Sequence, residues 1–455
     1  MHASVIMLAA FGSITWQSFM GRAMSGHFFQ SAFHMPLEPV LSRFPAKPIA
    51  SPTLATFRVK PASPLVRVEL FSESPTRTAA IASNGGLVIV PKPNVPDPLG
   101  IISISTNHDQ IDVYSDGRRV MTAPRITISS FENGILEIKP RHGAKRKTRG
   151  ELMISVHLGA LEIVNVLDLE TYVMGTVAPE LGSLNLPVEA MKAQLIASRS
   201  YILALGVRHR GRDFDFCDSA HCQVFAGIGR YPQKYLKAAE QTQGIYLSYK
   251  GKPAAAFYHH SCGGQTAAIQ DIWPSSPVPY LRRVQDGPAD HPYCGIGSRQ
   301  EWHFNINTSA LQNCLVKQGW LQHREALNTL RVIRVNSSGR ASQILVEGSR
   351  SRWVSSEVFR TAVNRYFGRE VLLSTWFKIN RIGETYEFHG KGWGHGVGMC
   401  QVGAIAMAKH GFSYRKILSH YFPGTTLARL PPNHQRPKRD PALIRFFDRI
   451  KDSLS

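Results

Sequence analysis

Acidic residues are in short supply. Asp and Glu total 32 against 53 Lys and Arg, a net charge of +21 over 455 residues. That imbalance favours an acidic partner: nucleic acid, anionic lipid or a carboxylate-bearing polymer. Long apolar runs are also missing. No stretch reaches the roughly 20 unbroken apolar residues of a membrane span, so no transmembrane span is expected beyond a candidate leader. The six cysteines, at 217, 222, 262, 294, 314 and 400, do not form the dense framework of a disulfide scaffold. There is no internal repeat. No recognised nucleic-acid-binding motif accompanies the charge, so nucleic acid is not expected as the partner.

The amino terminus carries a short apolar run, Val5 to Trp16, followed by small residues at Ala23-Met24-Ser25. This has the form of a secretory signal over 1–25, although only His2 stands where Lys or Arg usually precedes the apolar run. Export to the periplasm or cell envelope is the expectation. Residues 26–64 are Pro-rich and read as a linker. The tail 429–455 is basic.

Alternation of apolar and polar residues begins at Leu65-Val66-Arg67-Val68-Glu69-Leu70. Further strand-like runs include Leu87–Val90, Ile101–Ile104, Ile111–Tyr114, Ile126–Ile128 and Ile135–Ile138. Asp116-Gly117 and Asn133-Gly134 are hairpin signals. Residues 65–175 are therefore expected to be β-rich. Arg141 to Arg149 reads as a solvated basic hairpin tip. Residues 176–428 mix helices and strands, so the fold class expected is α+β.

Between the two parts lies Thr176-Val177-Ala178-Pro179-Glu180-Leu181, then a long helical pattern from Pro187. Pro179 is expected to end an extended run that reaches residue 178, placing Glu180 at a strand-to-helix turn. Glu170 then precedes that strand as a structural residue. Glu189 sits at the helix start. Taken alone, this stretch favours a solvated turn carboxylate at Glu180.

The Gly-rich stretch 390–398 leaves backbone free for close approach. It matches neither G-x-G-x-x-G nor the P-loop pattern, so it reads as a close-packed floor presenting His395 and Trp393, with Trp393 also suited to a core. Cys217, His221 and Cys222, with His209 as a fourth candidate, suit a structural zinc ion. A Cys217–Cys222 disulfide and buried free thiols remain alternatives.

Three features, in this order, resemble the stage II sporulation protein D (SpoIID) family, which includes the amidase enhancer LytB. They are Val177-Ala178-Pro179-Glu180 with Arg199-Ser200-Tyr201; Tyr258-His259-His260-Ser261-Cys262-Gly263-Gly264; and Gly392 to Gln401 with Tyr421-Phe422-Pro423-Gly424. The similarity covers 65–428. It departs from the family at Cys400, where Ser is frequent, and in the linker and tail. The resemblance implies a peptidoglycan lytic transglycosylase. Such an enzyme cuts denuded glycan strands between N-acetylmuramic acid and N-acetylglucosamine and leaves 1,6-anhydro ends. It places the catalytic acid/base on Glu180. From motif position, Ser198, Arg199, Tyr201, Gln223, Tyr258, Ser261, His395 and Gln401 are candidates for the substrate groove. The chemistry requires no cofactor. The alternative is a non-catalytic glycan-binding activator of a cell-wall amidase.

Overall fold

A computed structural model describes residues 63–295, 301–368 and 371–431. The leader and all but the last two residues of the linker lie outside the described residues, as does most of the basic tail. The chain is α+β, with the β-rich part first.

The alternating runs form one twisted sheet, because each buries every second side chain. Its strand order is Phe216–Cys217, Leu65–Leu70, Ala160–Asp168, Glu151–His157, Arg125–Ser130, Thr78–Val90, Leu99–Asn107, Gln110–Ser115 and Arg118–Ala123. The Asp116-Gly117 hairpin turns through positive φ at both residues (48° and 76°), the geometry a tight two-residue turn requires. Leu136–Pro140 pairs with Thr78–Val90, and Arg146–Thr148 pairs with Leu136–Pro140 in turn. The basic hairpin is thus partly structured rather than a solvated tip. Lys145 and Lys147 pair with Glu137, and the Lys147 carbonyl accepts from Ile228 N at 2.7 Å.

The extended run does not reach residue 178. The strand stops at Asp168, whose carboxylate caps helix α1 (Leu169–Leu181) by accepting from Thr171 N at 2.9 Å. A division at 175/176 therefore falls inside a helix. Pro179 lies in the last turn of α1, where its missing N–H costs one intrahelical bond. Helix α2 (Val188–Leu205) follows and is buried on nearly all sides. Its polar residues Gln194, Ser198, Arg199 and Ser200 are therefore core residues with internal partners. Helix α3 (Gln233–Thr242) leads to the Ile245–Tyr249 strand. Ala254–Phe257 is buried but not a strand. Its backbone bonds irregularly instead: Ala255 N to the Tyr280 hydroxyl, and Met399 N to the Phe257 carbonyl.

A second hydrophobic core lies between residues 301 and 391. It gathers Leu311, Ile344, Phe359 and Phe388 around two three-stranded sheets and helices α4 (Thr308–Lys317) and α5 (Ser356–Phe367). The sequence showed these elements but not that they form their own core. The chain then returns to the first core through Gly392–Cys400, α6 (Gln401–Lys409) and α7 (Tyr414–Tyr421). Tyr258–His259 pairs in parallel with Met399–Cys400 and closes the insertion at its base.

Candidate active site

Glu180 projects from the last turn of α1, and its position depends on two neighbours in that helix. Pro179 cannot donate to the Gly175 carbonyl, so that oxygen accepts from Ala226 N at 3.3 Å instead. Gly175 lets the incoming loop approach. A Cβ there would sit 2.4 Å from the Phe225 ring and 2.8 Å from the Gly227 carbonyl. With the loop docked, Val224 N–H donates to Glu180 Oε1 at 2.7 Å.

Burial pushes the Glu180 carboxyl up to about 7. The Val224 N–H and the nearby Tyr258 hydroxyl pull the other way without cancelling the burial. No cation pairs with Glu180 among the described residues, and no second carboxylate is among the groups acting on it. Tyr258 OH, Gln223 Oε1 and Tyr172 OH are buried without a partner in good hydrogen-bond geometry among the described residues, and so is Ser261 Oγ. Of these, Tyr258 and Tyr172 lie close enough to Glu180 to act on it electrostatically, and Tyr258 also neighbours Gln223.

Beneath them runs a chain of amides. Gln401 Nε2 donates to Gln194 Oε1, Gln194 Nε2 to Ser198 Oγ, and Gln223 Nε2 to the Ser198 carbonyl. Ser198, Gln223 and Gln401 are thus brought together. Sequence reasoning missed Gln194, although it lies four residues before Ser198 on the same helix face. It also missed Val224, which acts through its backbone and so leaves no side-chain signal.

Tyr201 stands edge-on to Phe257 at 5.6 Å, while Phe257 and Trp273 (5.3 Å) and Trp273 and His395 (5.0 Å) pack with their rings tilted. His395 Nδ1 accepts from Val397 N at 3.0 Å, leaving the proton on Nε2. Burial lowers its pKa to about 4, so the ring is a neutral donor at neutral pH. Trp393 is exposed rather than core and packs against His260 at 4.5 Å. Gly394 and Gly396 take positive φ, and a Cβ there would lie 2.9 Å from His259 Cβ and 2.6 Å from the Arg340 guanidinium, so this stretch is a close-packed floor.

Arg199 does not face a groove. It is fully buried, with Nε donating to Glu170 Oε1 at 2.8 Å and Nη2 to Oε2 at 2.5 Å; Nη1 donates to the Ile245 carbonyl. The bidentate fork fits a structural ion pair. Glu189 is likewise occupied, by Lys192 at 2.8 Å and by Tyr414 N at 2.7 Å, which tie α7 to the start of α2.

The loop bearing Val224 begins at a cluster of soft ligands. His209 Nε2 lies 3.3 Å from Cys222 Sγ, and His221 Nδ1 lies 3.6 and 3.5 Å from Cys217 and Cys222 Sγ. All four ligating atoms fall within 4.8 Å of one another. A tetrahedron with metal–sulfur bonds of about 2.3 Å and metal–nitrogen bonds of about 2.0 Å has edges of about 3.3–3.8 Å. Cys217 and Cys222 are free thiols in this structure.

Residues 157–249 match the family model for SpoIID, stage II sporulation protein, and residues 296–398 match a domain of unknown function, DUF8618. The second match coincides with the separate core. The chain is 29% identical over 320 residues to an uncharacterized protein of Brachyspira hyodysenteriae, covering 70% of this chain and 78% of that one. It is 30% identical over 277 residues to the amidase enhancer of Bacillus subtilis, covering 53% of this chain and 38% of the enhancer. It is 28% identical over 345 residues to stage II sporulation protein D of Bacillus amyloliquefaciens, covering 68% and 92%. The SpoIID match and the named relatives support the SpoIID/LytB family, as the motifs had indicated. They support a cell-wall or sporulation role.

Proposed function

We propose that this SpoIID-domain protein is an exported lytic transglycosylase of peptidoglycan, with Glu180 as its acid/base. The observation that carries this reading is a single carboxyl group held near neutrality by burial, with no cation to pair it. Protonated Glu180 donates to the glycosidic oxygen of the N-acetylmuramic acid residue as the bond from C1 to that oxygen breaks. The resulting carboxylate takes the proton from the sugar's own C6 hydroxyl as O6 bonds to C1. One group serves both steps, so no second carboxylate is required, in contrast to a hydrolase. Val224 N–H fixes Glu180 Oε1, and the carboxyl, with Tyr258 beside it, faces the substrate.

The unpartnered hydroxyl and amide groups of Tyr258, Gln223 and Ser261 supply hydrogen bonds to sugar. The Trp273 and His395 rings supply an apolar face beside them. The basic excess suits denuded glycan, because each muramic acid exposes a lactyl carboxylate.

His209, Cys217, His221 and Cys222 would hold a zinc ion in a structural role, since their spacing fits its tetrahedron and all four positions are filled by protein. Their task is to hold the loop from which Val224 donates to Glu180.

The reading is tested by digesting denuded and intact peptidoglycan with the full chain and weighing the products. Cleavage of denuded strands alone, with anhydro ends, supports it. The kinship with a protein named amidase enhancer favours a second reading, a glycan-bound activator. Under that reading neither substrate is cut, and an added amidase is stimulated.

A further inference from the structure

A second cluster of ligating side chains lies apart from the one ending at Cys222. Cys262, Asp286, Cys294 and Cys400 come from three separate segments, all fully buried, and their ligating atoms lie within 4.8 Å of one another. Cys262 and Cys294 Sγ are 3.6 Å apart, close to the edge of about 3.8 Å between two sulfurs on one tetrahedral metal.

The surroundings are shaped for anionic ligands. Cys400 caps α6, and its sulfur accepts from Gly403 N and Cys262 N, each at 3.3 Å. Asp286 accepts from Cys294 N at 2.8 Å and from the Tyr421 hydroxyl. These bonds orient the carboxylate and leave lone pairs on both oxygens. Among the described residues no cationic side chain pairs with Asp286, which is costly for a buried carboxylate unless something else supplies positive charge. Gly403 makes room for the arrangement: a Cβ there would lie 2.4 Å from Asp286 Oδ1 and 2.1 Å from the Tyr421 hydroxyl. The buried Arg340 guanidinium bonds the Cys262 carbonyl at 2.7 Å and adds positive charge nearby.

We propose that Cys262, Asp286, Cys294 and Cys400 form a second structural metal site for a thiophilic divalent ion such as zinc. Three sulfurs and one carboxylate complete a tetrahedral shell, so the site is closed and does not take part in cleavage. The thiols release their protons to solvent on binding, and nothing is oxidised or reduced. The site ties together the turn carrying Ser261, the loop 286–294 and the start of α6, whose first residue is Gln401. It would therefore hold one side of the groove as the first cluster holds the other.

The test uses the full chain purified without added metal. The parent should carry two zinc equivalents by elemental analysis. Cys217→Ser/Cys222→Ser should carry one, and should take up cobalt(II) with a thiolate-to-metal charge-transfer band. Cys400→Ser is the gentlest probe, because serine can cap α6 in place of the sulfur. Cys400→Ser and Cys294→Ser should each lose one equivalent from the parent and abolish the band in the double-variant background. One equivalent in the parent, all of it lost in Cys217→Ser/Cys222→Ser, would overturn the proposal. So would zinc content unchanged in Cys294→Ser, or a Cys262–Cys294 disulfide in the peptide map of the untreated parent.

Discussion

Helix α1 carries two carboxylates in opposite surroundings. Glu170, in its first turn, is fully neutralised: both oxygens are held by buried Arg199, and Oε1 also accepts from Gly244 N at 3.1 Å. Glu180, in its last turn, has one backbone N–H and no cation, and burial raises it to about 7. Glu170 is fully buried and ion-paired, whereas Glu180 is half-buried, unpaired by any cation among the described residues, and raised to about 7. The partners set the contrast: a carboxylate fully paired inside the fold is a brace, and one desolvated without a cation is a candidate acid.

The largest effect should come from Glu180→Gln. This variant keeps the shape and the Val224 bond but cannot transfer a proton. Cleavage of denuded strands should fall by about 10²- to 10⁴-fold, with binding and thermal stability retained. A residual rate near that of the parent would erase the distinction between the two ends of the helix.

Glu170→Gln should do the reverse. It leaves Arg199 buried and unpaired, which should cost about 3–5 kcal/mol in chemical denaturation. What remains folded should cleave at the parent's rate.

The pH dependence sharpens the contrast. A group raised from 4.5 to about 7 on folding stabilises the fold while protonated, and that contribution is lost as pH rises through about 7. Glu180→Gln should match the parent in stability near pH 5 and exceed it near pH 8, by at most about 3 kcal/mol. Cleavage by the parent should decline over the same interval as the acid form is lost.

Pro179→Ala offers a smaller perturbation. The restored N–H competes for the Gly175 carbonyl, so the Ala226 bond, worth about 1 kcal/mol, should weaken. Hydrogen exchange at Ala226 and Val224 should accelerate, and cleavage should fall several-fold with global stability nearly unchanged. Glu189→Gln, remote from these groups and held by Lys192, should retain most activity and marks the lower end of the scale.

Much of this was legible in the sequence where a signal is local. Alternation placed the strands and Asp116-Gly117 the hairpin, because each depends on a few neighbouring residues. Motif position led to Glu180, and Cys217, His221 and Cys222 were close enough to notice. What escaped depends on contacts distant in sequence. The start of α1 at Leu169 was hidden because Leu169-Glu170-Thr171-Tyr172-Val173 suits a strand as well as a helix, and the Asp168 cap decides between them. Arg199 resembled a substrate ligand until its partner 29 residues away was found. Cys262, Asp286, Cys294 and Cys400 span 138 residues, so no spacing rule links them. The separate core between 301 and 391 left no trace at its borders, because the chain leaves and re-enters at adjacent points.

The central claim is that Glu180 works alone, with the sugar's C6 hydroxyl rather than water as nucleophile. Digestion of denuded strands by the full chain in oxygen-18 water, followed by mass analysis of the new ends, tests it most directly. The account predicts anhydro-muramyl ends carrying no oxygen-18. Reducing ends labelled with oxygen-18 would contradict it, and would require a second carboxylate beside Glu180.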